Sequence, residues 1–265
     1  MKKVLFTVVV LVLLAAFGVS AFMVVNYLAD GRRQEKIYDE LSGIVSGQET
    51  AGTSATTEET SGATTEATVP TEPGMLAAYK EIYEMNNHTV GWIKIEGTQI
   101  DYPVLQTPDE PNYYLYRDFL KQDSVNGAIY AREVCDVNEP SDNITIFGHN
   151  MASGKMFAQL HNYGTKSGWE QNSLIFFDTL YEYHTYKIFA VFKTSANLGQ
   201  GFSYHQFVDA ETEEEFNEFV STCKKLAFYD TGITPVYGDK LITLSTCTGP
   251  SENNDRLVVV AVRIT

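Results

Sequence analysis

The chain has 265 residues, with 34 Asp and Glu against 19 Lys and Arg, for a formal charge of −15. That balance excludes nucleic acid as a partner, which needs a basic surface, and argues against a peripheral protein held on anionic lipid by polybasic clusters. Three cysteines are too few for a closed disulfide framework.

The average covers three regimes. The first 29 residues carry only Lys2 and Lys3, so from Asp30 onward there are 17 basic and 34 acidic residues, a net of −17. Val4 to Val25 is apolar except for Thr7 and Ser20, and at 1.5 Å per residue it spans roughly 33 Å, enough for a bilayer core. A signal peptide uses the same pattern, with Val19-Ser20-Ala21 as its cleavage site. The apolar run continues through Phe22–Val25, which favours an uncleaved membrane anchor over residues 1–29. Lys2 and Lys3 on one flank are matched by Arg32, Arg33 and Lys36 on the other, so charge alone does not orient the segment.

Residues 30–45 have the pattern of a short juxtamembrane helix. Residues 46–74 include nine Thr, five Glu, four Gly, four Ala and three Ser, with Val69 the one branched apolar side chain. Such a stretch has nothing to bury and is expected to be a disordered tether, about 100 Å long when extended. Residues 30–74 are therefore read as juxtamembrane segment and tether, and 75–265 as one globular domain large enough for its own core.

The domain begins with helical spacing at Met75–Met85. Short β-rich runs follow at Val90–Ile95, Ile100–Leu105, Gly127–Tyr130, Asn143–Phe147, Ser173–Phe177, Tyr183–Lys193, Leu241–Thr246 and Arg256–Ile264. Eight such runs separated by turn residues point to a barrel or a sandwich. Two helices interrupt them. Lys155–Tyr163 is short. Glu211–Ala227 sets Phe216, Phe219, Val220, Cys223 and Ala227 on one face, with an acidic first turn and Lys224-Lys225 at its end, as the helix dipole favours. The acidic start lacks the Asp/Asn and Gly spacing of a calcium loop, and no Cys/His cluster has metal-ligand spacing, so no metal or other cofactor is expected.

The candidate chemistry lies in Leu241-Ile-Thr-Leu-Ser-Thr-Cys247. Strand alternation turns Ile242 and Leu244 towards a core and Thr243, Ser245 and Cys247 the other way, placing a thiol at a strand end on a polar face. A lone Cys reads first as a small buried hydrophobe. The polar loop that follows, leading to Arg256 at the start of the last strand, points instead to a nucleophile. A thiol nucleophile needs an imidazole partner. His88, His161, His184 and His205 read as ordinary surface or edge residues. His149 follows the apolar strand Ile144–Gly148 and so also sits at a strand end, although spacing alone does not bring it to Cys247. Cys223 reads as core. Cys135, beside Asp136 in a loop, reads as an exposed idle thiol.

Thr243-Leu-Ser-Thr-Cys247, with Arg256 nine positions on and Phe147-Gly-His-Asn-Met151 upstream, resembles the sortase family, and class B sortases in particular. The Leu-Ser-Thr-Cys wording and the long helix before that strand point to the class. The resemblance implies a mostly β, sortase-type eight-stranded barrel with an N-terminal helix, behind a single transmembrane helix. It implies that Cys247 attacks a peptide carbonyl in the C-terminal sorting signal of a surface protein, giving a thioester. It implies that His149 moves protons for the leaving and incoming amines, and that Arg256 holds the oxyanion or the substrate backbone. A peptidoglycan precursor amine resolves the thioester. The expected location is the cell membrane of a Gram-positive bacterium, with the catalytic domain outside. The alternatives are a pilin-polymerising sortase and a non-catalytic surface-binding domain on the same fold.

Overall fold

The computed structural model describes residues 2–53, 74–197, 199–249 and 254–265. Helix α1 (Lys2–Thr53) opens the chain. Its apolar N-terminal part is exposed, with Leu11, Phe17 and Phe22 all at least 60% accessible, and it is long and apolar enough to cross a membrane. The helix runs past Ser46, where disorder is expected to begin. Residues 54–73 of the expected tether lie outside the described residues.

Residues Leu41–Thr265 form one compact unit. It includes the end of α1, because Leu41 and Val45, one turn apart, are both buried in it and Ser42 Oγ donates to Asp101 Oδ2 at 3.1 Å. The last turns of the juxtamembrane segment thus carry an apolar stripe that packs on the domain. Helix α2 (Ala77–Met85) buries Ala78, Tyr79 and Ile82 at helical spacing, as expected.

The strands are β1 (Thr89–Lys94), β2 (Asp101–Leu105), β3 (Tyr130–Ala131), β4 (Asn143–Phe147), β5 (Leu174–Thr179), β6 (Thr185–Ser195), β7 (Leu241–Cys247) and β8 (Asp255–Arg263). They close into a barrel in the order β1-β2-β3-β4-β7-β8-β6-β5, which resolves the choice between barrel and sandwich. The short helix expected at Lys155–Tyr163 is a 3-10 helix at Ala158–Gly164. It is followed by α3 (Lys166–Gln171), capped by the Thr165 hydroxyl and too short and polar to show a helical period.

Helix α4 (Glu213–Leu226) is the long helix expected before β7; its N-cap is Thr212, whose hydroxyl accepts from the Glu215 amide. Its apolar face, Phe216, Phe219, Val220 and Cys223, covers Val258, Val260 and Val262 of β8 and Phe189, Ala190 and Phe192 of β6. In register with those β8 residues stand Ser245, Thr243 and Leu241 of β7. The barrel wall here is covered on both faces. The β7 face read as polar therefore lies beneath a second apolar layer, and its hydroxyls are paired rather than wet: Thr243 Oγ1 donates to Asn143 Oδ1 at 2.7 Å, and Ser245 Oγ lies 2.6 Å from Tyr204 OH.

Candidate active site

The barrel places the two halves of the site by strand register. β4 and β7 are parallel neighbours, with Phe147 opposite Ser245. His149 and Cys247 each lie two residues further on, so both emerge at the same end of adjacent strands. Parallel neighbours need a long crossover, and here β5, β6 and α4 intervene, which is why no local spacing in the sequence joins the two residues.

Arg256 arrives by a second register. β7 and β8 are antiparallel with Cys247 opposite Arg256. Thr248 N donates to Asp255 O at 3.1 Å, which makes that pair a hydrogen-bonded one. The adjacent Cys247/Arg256 pair is then non-hydrogen-bonded, the closer kind, with Cα atoms about 4.5 Å apart and side chains on the same face. The guanidinium is held by its own loop, Nη1 donating to Asn254 Oδ1 at 2.7 Å and to the Asn254 carbonyl at 3.2 Å. Asn254 has a left-handed backbone (φ 51°), and residues 250–253 of this loop lie outside the described residues.

His149 is oriented by the segment before β3. Its Nε2 lies 2.7 Å from the Leu115 carbonyl oxygen. A carbonyl only accepts, so Nε2 carries the hydrogen and Nδ1 is the nitrogen left to take or release a proton. Tyr116 packs on the ring at a centroid distance of 5.9 Å. Beneath them, Gly127 sits at φ +58°, and a Cβ there would lie 2.5 Å from the Leu115 oxygen and 3.0 Å from His149 Cδ2. Only glycine fits this backbone so close to the ring.

His149, Cys247 and Arg256 line one cleft of about 480 Å³, with walls that include Tyr130, Arg132, Glu133, Tyr204, His205 and Ser245. Cys247 is only partly covered, whereas Cys135 and Cys223 are buried. Burial pushes the Cys223 and Cys135 thiols up, which leaves both protonated at neutral pH. Cys223 matches its expectation as core. Cys135 does not match the exposed thiol expected: it is 4% accessible, with Sγ 3.5 Å from the Asn143 carbonyl. Its loop is folded back by paired Asp136 and Ser141, which turns Cys135 and Val137 inward. Burial and the neighbouring Arg132 lower the His205 pKa, so this cleft imidazole is neutral at pH 7. Arg132 Nη1 also donates to the His205 carbonyl. A second cavity, about 300 Å³, lies beside the end of α1. Two of its carboxylates accept from neighbouring side chains, Asp101 from Trp92 Nε1 at 2.6 Å and Asp178 from Tyr79 OH at 2.5 Å.

Two neighbours of the site were not legible in the sequence. His205 lines the cleft, and His161, read as an ordinary residue, lies with Nε2 3.2 Å from the Cys247 carbonyl oxygen and 3.2 Å from Asn150 Nδ2. Neither belongs to a periodic pattern, so no local signal marks them.

The arrangement can support acyl transfer: a reachable thiol, an oriented imidazole and a fixed cation share one wall. The family model for the Sortase domain matches residues 93–264. Sortase B of Staphylococcus aureus is 28% identical over 184 residues, covering 69% of this chain and 73% of that protein. Sortase B of Listeria monocytogenes is 29% identical over 190 residues, covering 70% and 74%. A Staphylococcus aureus sortase B–substrate complex superposes with a TM-score of 0.75 at 24% identity, over 89% of this chain and 99% of that one, and so shares the fold. The chain thus belongs to the sortase family of cysteine transpeptidases, in its class B.

Proposed function

We propose that this protein is a membrane-anchored sortase in which Cys247, His149 and Arg256 carry the chemistry. The Cys247 thiolate attacks a carbonyl in the C-terminal sorting signal of a surface protein. The peptide C–N bond breaks, His149 gives its proton to the leaving amine, and the acyl group stays on sulfur as a thioester. An amino group of a peptidoglycan precursor then attacks that thioester, His149 takes its proton, and the surface protein is joined to the wall. Arg256 presents permanently charged donors to the oxyanion or the substrate backbone.

One observation carries this reading: the ends of β4, β7 and β8 bring the imidazole, the thiol and the guanidinium to one cleft wall through strand register alone. The Staphylococcus aureus sortase B that shares the fold is a substrate complex, which supports substrate binding by a chain of this fold. The apolar N-terminal part of α1 supports single-pass anchoring in a membrane. The cell membrane of a Gram-positive bacterium, with the catalytic domain outside, is the location that accompanies the proposed reaction.

The test is the full chain in detergent, given quenched-fluorescent peptides containing Pro and Thr, with and without an amine acceptor. Cys247→Ala is expected to abolish cleavage, a loss of at least about 10³-fold. A Cys247→Ala variant that cleaves as fast as the parent would sink the reading.

A further inference from the structure

Parallel pairing of β4 with β7 leaves one backbone acceptor without its ladder partner. Gly148 N donates to Ser245 O at 3.2 Å, in the pattern of a parallel ladder. Continued by one repeat, the ladder would send the Asn150 amide to the Cys247 carbonyl. The chain turns away instead, because β4 ends at Phe147 and residues 148–157 fold back on themselves. Phe157 N donates to His149 O at 2.9 Å, Asn150 bridges to Met156, and Gly154 and Met156 adopt positive φ.

The return brings the 3-10 helix of Ala158–Gly164 over the end of β7. Its His161 then places Nε2 3.2 Å from the Cys247 carbonyl, where the ladder donor would have been. We infer that His161 is a positioning residue for the nucleophile, supplying from a side chain the hydrogen bond that the truncated strand β4 cannot supply. This inference rests on Cys247 being the nucleophile, as proposed above.

The hydrogen bonding is consistent in detail. Nε2 must carry the hydrogen, since the carbonyl only accepts. The side-chain amide of Asn150, 3.2 Å from the same nitrogen, then turns its oxygen towards it, its O and N being interchangeable by a flip. One imidazole N–H thus ties the strand bearing Cys247 to the residue following His149. The peptide unit after Cys247 is fixed at both ends, its oxygen by His161 and its nitrogen by Asp255 O. Protonation at Nδ1 leaves the Nε2 donor in place, so the tie persists whether the ring is neutral or charged.

The experiment compares the parent, Cys247→Ala, His161→Gln and His161→Leu as full chains in detergent, using the peptide from the Pro- and Thr-containing panel that the parent cleaves fastest. Glutamine keeps a donor, whereas leucine fills the space without one. His161→Leu is expected to lose about tenfold in kcat with KM within about twofold, the scale of a small misplacement of a reacting group, while His161→Gln regains most of the loss. Thermal midpoints show which variants are folded. If His161→Leu does not fold, His161→Gln decides: parent-like kcat supports the role, and a tenfold loss overturns it. Equal losses in both variants, or parent activity in His161→Leu, also overturn it. Undiminished cleavage by Cys247→Ala would instead overturn the reading of the site on which this inference rests.

Discussion

His149 is the residue whose setting depends most on atoms that are not its own. The Leu115 carbonyl selects its tautomer, the Tyr116 ring lies 5.9 Å away between centroids, and a Cβ added at Gly127 would come within 3.0 Å of the ring. Adding a methyl group at Gly127 meets the Leu115 oxygen at 2.5 Å and forces a left-handed alanine. Gly127→Ala is therefore expected to destabilise the fold by about 2 kcal/mol, combining backbone strain and steric clash. It is also expected to lower kcat about tenfold by shifting the carbonyl that orients His149. Denaturant unfolding and peptide cleavage on the same preparation check both. Unchanged stability with unchanged kcat would mean that the ring does not depend on this contact. The strand-end positions of Cys247, His149 and Arg256 were legible at this scale from the apolar runs and polar loops around them, whereas their meeting in one cleft followed only from the family resemblance and the strand register. His161 was not, because its role depends on where an irregular loop returns. Cys135 was misread for the same reason: its burial comes from the Asp136/Ser141 turn and not from an apolar pattern.

The element that most determines the site is α4. It seals the outer face of β7 and β8 with Phe216, Phe219, Val220 and Cys223, all at most 4% accessible. That seal turns Thr243 and Ser245 into paired, buried hydroxyls, leaving Cys247 at the open edge. Phe216 is completely buried against the cluster, and Phe216→Ala is expected to cost about 3–5 kcal/mol. Urea unfolding monitored by circular dichroism measures this, and a cost below about 1 kcal/mol would show that the helix is not integral to the barrel wall. The helix itself was legible from its 3.6-residue period, its acidic start and its basic end. The eight strands were likewise legible as β-rich runs between turn residues, although β3 coincides with its expected run only at Tyr130. Their pairing was not: β4 joins β7 across the segment that carries β5, β6 and α4, and only the closed barrel fixes that choice.

For the whole molecule, the charge of −15 describes no single part. An apolar exposed helix leads into an acidic catalytic unit, yet the cleft of that unit is lined by Arg132 and Arg256 against Glu133. The anion formed during acyl transfer gains from such a local excess of positive charge. The end of α1 belongs to the same unit, through Leu41, Val45 and the Ser42–Asp101 bond. Composition alone assigned those residues to a juxtamembrane segment, because two apolar side chains one turn apart give too weak a signal to mark a docked helix. In the proposed reaction Cys247 Sγ is the atom that carries the acyl group. The most direct measurement incubates the full chain with the cleaved peptide in the absence of acceptor amine, quenches in acid and maps the adduct by mass spectrometry. The expected result is one acyl group on Cys247, removed by hydroxylamine and absent in Cys247→Ala, with Cys135 and Cys223 unmodified. Cleavage accompanied by an adduct on another residue, or undiminished in Cys247→Ala, would contradict it.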